Sequence, residues 1–436
     1  MKPFPILRLA HIGLAAALAL SACATPKRMP AVPTALAAQA TALPGPTRFL
    51  VTRETSDMVA EAQRALEKER AWLAANGQSG PLPPMAMLAI SGGGDSGAFG
   101  AGLINGWTKA GTRPEFKVVT GVSTGALSAP FAFLGPRCDG ALKAVYTDVS
   151  QGDIFRPRGM LKGFFGDAMA DTSPLFRLVS RFVDRRMLDA IAAEYAKGRL
   201  LLVGTTNLDT LEPVIWNMTA IAASSDPRAL ELFRKVLLAS ASVPAAFPPV
   251  LIDVYAGGQH YQEMHVDGGA MAQVFMYPPS INVRDSGVVR QRTIYIIRNA
   301  RLDSDWASTT RRTLPIAARA VGGLMQSQGI GDLYRIYTTA KRDGVDYNLA
   351  FIPPSFTTPH TKDFDPAYMR PLFDVGFEMA AAGFPWRKEP PGYSEALDAS
   401  TARIETPPAA PVTPGSVPVA ATVPPIGSSQ PFACAA

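Results

Sequence analysis

Gly121-Val122-Ser123-Thr124-Gly125 constrains this chain more than any other stretch. A short β-rich run, Phe116 to Thr120, leads into it, and an apolar helical pattern, Ala126 to Leu134, leads out. A serine at a sharp strand-to-helix turn has its Oγ exposed at the end of a sheet. Glycines two before and two after it remove Cβ atoms that would clash there. The turn also sets the serine beside backbone N–H groups at a helix N-terminus, where developing negative charge is stabilised. Taken alone, the same pentapeptide also fits a plain βα connection without chemistry. The rest of the chain has to decide.

Two further glycine-rich turns follow apolar runs. Met85 to Ser91 is a continuous apolar run, the pattern of a strand buried on both faces, and Gly92-Gly93-Gly94-Asp95-Ser96-Gly97 follows it directly. Met264 to Val266 reads as a short strand, and Asp267-Gly268-Gly269 turns after it. Gly92-x-Gly94-x-x-Gly97 matches a dinucleotide fingerprint, but that fold needs an acidic residue ending the second strand. Here that strand ends at Ser123, and Glu115 precedes it. Consecutive glycines leave backbone N–H groups bare, which suits an oxyanion site.

The remaining elements alternate. Helical patterns cover Ser56 to Asn76, Asp139 to Asp148, Met187 to Lys197, Pro227 to Ala241, Leu314 to Lys341 and Pro366 to Ala382. Leu200 to Thr206 is a buried strand with Val214 to Met218 as its hairpin partner, and Thr293 to Arg298 is a further strand. Val243 to Pro249 reads as an ordered Pro-rich loop. Between Gln151 and Arg186, Phe155, Phe164, Phe165, Phe176 and Phe182 interleave with basic residues. That pattern fits a membrane-facing segment or a lid over an apolar groove, and equally a packed helical excursion.

With 436 residues and 47% hydrophobic side chains, the chain can bury a large core. A net charge of +6 without any dense Lys/Arg block speaks against nucleic-acid binding and fits a weak preference for anionic lipid surfaces. Lys2 and Arg8 flank a short apolar run, Ile12 to Leu20, that reads as a secretory signal. Leu20-Ser21-Ala22-Cys23 resembles the bacterial lipoprotein processing box, which implies cleavage before Cys23 and its lipidation. Ala24 in place of aspartate leans the expectation to the outer membrane, on its periplasmic side. Only Cys138 and Cys434 then remain, and a bridge from core to extreme tail is not expected. Cys and His spacings suggest no metal site. Eleven of the 39 prolines fall after Phe384, which reads as a disordered tail. The expected organisation is signal peptide 1–22, flexible tether 23–50, N-terminal helix and linker 51–84, catalytic domain 85–384 and tail 385–436.

In order and spacing, GGGxxG, GxSxG and DGG resemble the motifs of the patatin-like phospholipase family, from about Met85 to Asn299. Val243 to Pro249 and Gly204 to Thr210 resemble further loops of that family. The resemblance implies a three-layer α/β/α sandwich with a mostly parallel central sheet. It also implies a lipid acyl hydrolase without cofactor, acting on membrane lipids or other acyl esters through a Ser/Asp dyad and an acyl-enzyme. Ser123 would be the nucleophile and Asp267 the general base, and the N–H groups of Gly92, Gly93 and Gly94 would hold the oxyanion. Ser96 departs from the family, which usually has Arg or Lys there, and this puts specificity in doubt. Two alternatives stand beside that reading. One is an α/β-hydrolase-type esterase with a Ser/Asp/His triad completed by His360, although His360 sits in Thr357 to Thr361, which reads as a surface loop and makes a surface histidine the expected fate; His265, two residues before Asp267, reads separately as a packed residue that could orient Asp267. The other is a catalytically silent lipoprotein that binds lipid or a partner near Phe164 and Phe165. Oligomeric state is not legible.

Overall fold

The structure, a computed structural model, describes residues 27–52, 54–159, 166–303, 308–393 and 434. The signal-like segment, Cys23, Phe164, Phe165 and residues 394–433 lie outside the described residues.

Nine strands form one mixed sheet. They are β1 Arg48–Phe49, β2 Met85–Ile90, β3 Phe116–Val122, β4 Leu200–Asn207, β5 Glu212–Asn217, β6 Val250–Ala256, β7 Gln259–Asp267, β8 Arg292–Arg298 and β9 Asp346–Phe351. The path across it is β1-β5-β4-β3-β2-β8-β9, and the five strands from β4 to β9 on that path are parallel. β5 and β1 continue it antiparallel.

Alternation along β2 explains the three layers. Leu88 and Ile90 join one core with Phe99, Leu103, Phe133 and Phe373, whereas Met87 and Ala89 join a second with Leu333, Ile336 and Tyr337. A strand with helices on both faces has no solvent-facing side, so its sequence is apolar throughout. Helices α1 Ser56–Ala75, α2 Gly97–Lys109, α3 Thr124–Leu134, α4 Asp139–Thr147, α5 Ser173–Phe182, α6 Arg185–Ala196, α7 Ala229–Ser240, α8 Thr313–Asp343 and α9 Pro366–Ala381 flank the sheet. The three-layer architecture agrees with the expectation from sequence.

Four features differ from it. First, β6 and β7 form a long hairpin where only Met264 to Val266 is expected. The outer half of β7 carries Gln259, His260 and Gln262 and reads as loop. The signal that marks the hairpin is Gly257-Gly258, both at positive φ, the geometry of a tight two-residue turn. Second, β9 is missed, because its Asp346 and Asn348 break the apolar run.

Third, residues 27–50 are not a flexible tether. Arg28 pairs with Asp209 at 2.8 Å, Thr41 bridges Tyr255, and Ala37, Ala40, Leu43 and Phe49 are buried. Fourth, the chain beyond Phe384 does not leave the body at once. Trp386 packs on Trp107 and Tyr295 with ring centres 4.9 and 5.0 Å away, and Arg387 bridges Leu349. Cys434 is disulfide-bonded to buried Cys138, against the expectation that these two would not meet. Small residues separate the motifs in both terminal segments, so composition conceals side chains that nevertheless find partners.

Cross-linking residues 296 positions apart restricts the unfolded chain strongly. Cys434→Ser, or reduction, lowers stability by roughly 2–4 kcal/mol, read as a lower urea midpoint. An unchanged midpoint under reducing conditions contradicts the bridge.

Candidate active site

Ser123 sits where β3 stops and α3 begins, with φ 56° and ψ −127°. A non-glycine residue in that region is strained, by about 1–3 kcal/mol, and persists only where its surroundings fix it. The fixing contacts are clear. The Ser123 N–H donates to Ser240 Oγ at 3.0 Å, and the Ser240 hydroxyl donates to the Gly204 carbonyl at 2.7 Å. A Cβ on Gly125 would stand 2.2 Å from the Ile90 carbonyl oxygen, and one on Gly121 2.5 Å from the Gly125 oxygen. The two glycines of the motif are therefore steric requirements of the turn.

Sheet register brings Asp267 to the serine. β3 ends with Val122 opposite Gly204 of β4, and β7 pairs with the next residues of β4, Asp267 opposite Thr205. The end of β7 thus meets the end of β3 nearly head-on, although 144 residues separate the two side chains. Asp267 is 2% exposed. Its N–H donates to the Ser242 carbonyl, and its Oδ1 accepts the Gly269 N–H at 2.7 Å. Its Oδ2 is buried and accepts no formed hydrogen bond.

Burial pushes the Asp267 carboxyl up to about 7, opposed by the Ser123 hydroxyl and the Gly269 N–H. The hydroxyl is therefore near enough to influence the carboxyl, while Oδ2 is left without a hydrogen-bond partner.

The triple-glycine loop contributes two amides rather than three. Gly92 N–H is already donated to the Gln273 carbonyl at 3.0 Å, which corrects its assignment to the oxyanion site. Among the described residues no acceptor takes the N–H of Gly93 or Gly94. Gly93 has φ 153°, and a Cβ there would stand 2.1 Å from the Asn299 carbonyl oxygen. Asn299 holds the loop's start through Ser91 and also accepts the Gly100 N–H.

Several residues at the site escape a linear reading. The Gln273 side-chain amide donates to the Gly269 carbonyl while its backbone carbonyl takes Gly92, so one residue ties the aspartate turn to the glycine loop. Its own N–H donates to fully buried Asp332. Ser240 splints the serine turn to β4. Nothing in their local sequence marks these residues; topology alone assembles them.

His360 is a surface histidine, 42% exposed, with one hydrogen-bond partner. Its Nε2 donates to Asp95 Oδ2 at 2.7 Å, and Asp95 also accepts the Phe364 N–H. It thereby ties the 360–364 segment to the glycine loop instead of pairing with Asp267. His265 does not orient Asp267 either. It is fully buried between the Thr205 hydroxyl and the Glu263 carboxylate, and Glu263 is paired with Arg48. Burial raises the cost of ionising Glu263, but His265 and Arg48 more than offset this and hold it at about 2.

An apolar cavity of about 500 Å³ opens beside Ser123 and Gly94. Leu127, Phe155, Leu175, Val243, Phe247 and Phe364 are among its walls. Phe155 belongs to the aromatic segment singled out in the sequence, and the Pro-rich loop supplies Val243 and Phe247. Leu175 and Phe182 of α5 are buried, so the described part of that segment packs inward against the cavity. A smaller pocket of about 60 Å³ shares Thr124, Leu127, Ile154, Leu175 and Phe364 with the larger one and runs on toward Phe131 and Met369.

A serine hydroxyl, a buried carboxyl, two amides without an acceptor and an apolar cavity thus stand together at one edge of the sheet. Residues 88–277 match the family model "Patatin-like phospholipase", and this part of the chain is a patatin-like phospholipase domain. The solved structure of VipD from Legionella pneumophila is similar, with 12% identity over 68% of this chain and 66% of that one, at a TM-score of 0.34. ExoU from Pseudomonas aeruginosa, solved with SpcU, matches with 13% identity over 69% of this chain and 52% of that one, at a TM-score of 0.30. The chain thus spans less than two thirds of either structure. No curated protein sequence matches it.

The raised carboxyl makes a stability prediction. Below about pH 4 Asp267 is protonated in folded and unfolded chains alike. Between there and about pH 7 only the unfolded chain ionises, so stability falls as pH rises through that window. Asp267→Asn removes the effect. The variant is more stable than the parent at pH 8, by on the order of a few kcal/mol, and matches it near pH 4. Equal denaturation midpoints at pH 8 contradict the burial assignment.

Proposed function

We propose that the chain hydrolyses acyl esters of lipids through a Ser123/Asp267 dyad and an acyl-enzyme. The observation that carries this is the unpaired, buried Oδ2 of Asp267 beside the Ser123 hydroxyl, at the mouth of an apolar cavity. A buried acceptor without a donor is costly, and here a transferable proton stands next to it.

The steps balance. Asp267 takes the Ser123 proton as Oγ bonds to the ester carbonyl carbon, and the carbonyl oxygen becomes an oxyanion facing the N–H groups of Gly93 and Gly94. The C–O bond to the alcohol then breaks, and Asp267 returns the proton to the leaving oxygen. In the second half Asp267 takes a proton from water, hydroxide bonds to the acyl carbon, and Ser123 leaves with that proton. A carboxyl poised near 7 is half ionised at neutral pH and so both accepts and returns the proton. The cavity accepts the acyl chain. Its walls offer few polar groups, which favours lipid esters over polar ones.

The cell envelope is the proposed location, with Cys23 lipidated, periplasmic-side and at the outer membrane. The signal-like N-terminus and the processing box support it, and the Cys138–Cys434 disulfide suits an oxidising compartment.

Hydrolysis of a chromogenic acyl ester tests the dyad. Ser123→Ala falls to background. Asp267→Asn loses on the order of a hundredfold or more, and His360→Ala stays within roughly tenfold of the parent. The parent's rate rises with pH through about 7, since the ionised carboxylate is the base. Retained activity in Ser123→Ala, or a His360→Ala variant as dead as Asp267→Asn, contradicts the dyad.

A further inference from the structure

Helix α8 is 31 residues long, about 46 Å at 1.5 Å per residue, against strands of six or seven residues beside it. Its second half is packed into the body of the fold. Leu333, Ile336, Tyr337 and Ala340 are buried in the core under β8 and β9. In the first half, nine consecutive residues, 316–324, are all exposed. Ile316 is 50% exposed, Val321 52% and Leu324 71%.

The direction of the helix fixes where that half stands. α8 ends at Asp343, and Gly344 turns the chain into β9, which starts at the N-terminal edge of the parallel strands. The helix therefore begins at the opposite edge. Gln326 marks the level of that edge, since its side chain accepts from Arg298 at the end of β8 and donates to the Arg301 carbonyl. Residues before Gln326 project roughly 15–20 Å past the sheet. The edge they pass is the one carrying Ser123, Gly93 and Gly94.

The projecting half is two-sided. Ile316, Ala320 and Leu324 follow one another at four-residue steps, with Ala317 and Val321 beside them, and so form one apolar stripe. Arg311 and Arg312 lie immediately before the helix, Arg312 as its extended N-cap. Both arginines are exposed. No acidic residue lies between Asp305 and Asp332. An exposed apolar stripe led by the two exposed guanidinium groups of Arg311 and Arg312 fits the headgroup boundary of an anionic bilayer, where the stripe sinks among acyl chains and those groups meet phosphates. A protein partner with an apolar face gains nothing from this one-sided charge unless it is itself acidic.

Leu211 and Met271, exposed on the turns after β4 and β7, stand on the same edge. We propose that the N-terminal half of α8 is an interfacial membrane-docking helix that seats an anionic bilayer against the mouth of the Ser123 cavity. This rests on the reading of the chain as a lipid hydrolase, but the docking itself is independent of catalysis.

Binding is measured on the full chain carrying Cys23→Ser and Ser123→Ala, so that neither an acyl anchor nor vesicle digestion interferes. Vesicles of phosphatidylcholine are compared with vesicles of phosphatidylcholine mixed with phosphatidylglycerol in a sedimentation assay. Ile316→Gln/Val321→Gln/Leu324→Gln, and separately Arg311→Gln/Arg312→Gln, reduce binding to the anionic vesicles by about tenfold or more. The arginine pair has little effect on the neutral vesicles. In a chain with Ser123 intact, the same substitutions leave hydrolysis of a soluble short-chain ester unchanged. Undiminished binding of both variants to anionic vesicles overturns the proposal. So does a change from dimer to monomer in the triple-Gln variant with vesicle binding intact, which would make the stripe an interface between copies. If the soluble ester is not hydrolysed by the parent either, the catalytic reading fails while the vesicle result still decides the docking.

Discussion

Everything at this site depends on one costly placement: a carboxylate sealed from water with one oxygen left without a donor. Burial without compensation raises the free energy of an ionised group by several kcal/mol, and a fold keeps such a group only where its neighbours leave no alternative. The neighbours here are strands. β4 runs past the end of β3, and β7 fills the vacated pairing positions, so Asp267 arrives where the backbone of β3 has just turned away at Ser123. The strained serine and the desolvated aspartate are consequences of the same register, and Ser240 holds both ends of it through Ser123 N–H and the Gly204 carbonyl.

Much of this was legible because the three glycine-rich turns have local causes. A Cβ at Gly121, Gly125 or Gly93 would collide with backbone, so glycine at those positions announces a turn wherever the chain meets its neighbours. The buried parallel strands were legible for a similar reason, since Leu88 and Met87 are both apolar only because both faces are covered. The residues that join the turns were not legible. Gln273, Ser240 and Asp95 act through backbone groups brought to them by topology, and their side chains carry no pattern in one dimension. Gly92 shows the limit in the other direction. The motif suggests three free amides, but the Gln273 carbonyl has already taken one. The terminal segments misled by composition, since Ala- and Pro-rich chain packs as well as any other once Arg28 finds Asp209 and Trp386 finds Trp107.

One edge of the sheet gathers the functional features. The serine turn, the free amides, the cavity mouth and the exposed half of α8 all lie at the C-terminal ends of the parallel strands, where an α/β sheet leaves room for ligands. The opposite edge carries the β8 and β9 starts and the packed end of α8. On the proposed function, an apolar cavity serves a lipid enzyme only if its mouth faces the source of the lipid, so the projecting helix and the proposed dyad would form parts of a single orientation problem.

The most direct measurement is infrared difference spectroscopy of the Asp267 carboxyl, using Asp267→Asn as the reference. A protonated carboxyl band that the reference lacks should persist well above the ordinary aspartate range and fade with a midpoint near 7. A band that is gone by about pH 5, the behaviour of a solvated aspartate with a value near 4, would contradict the account.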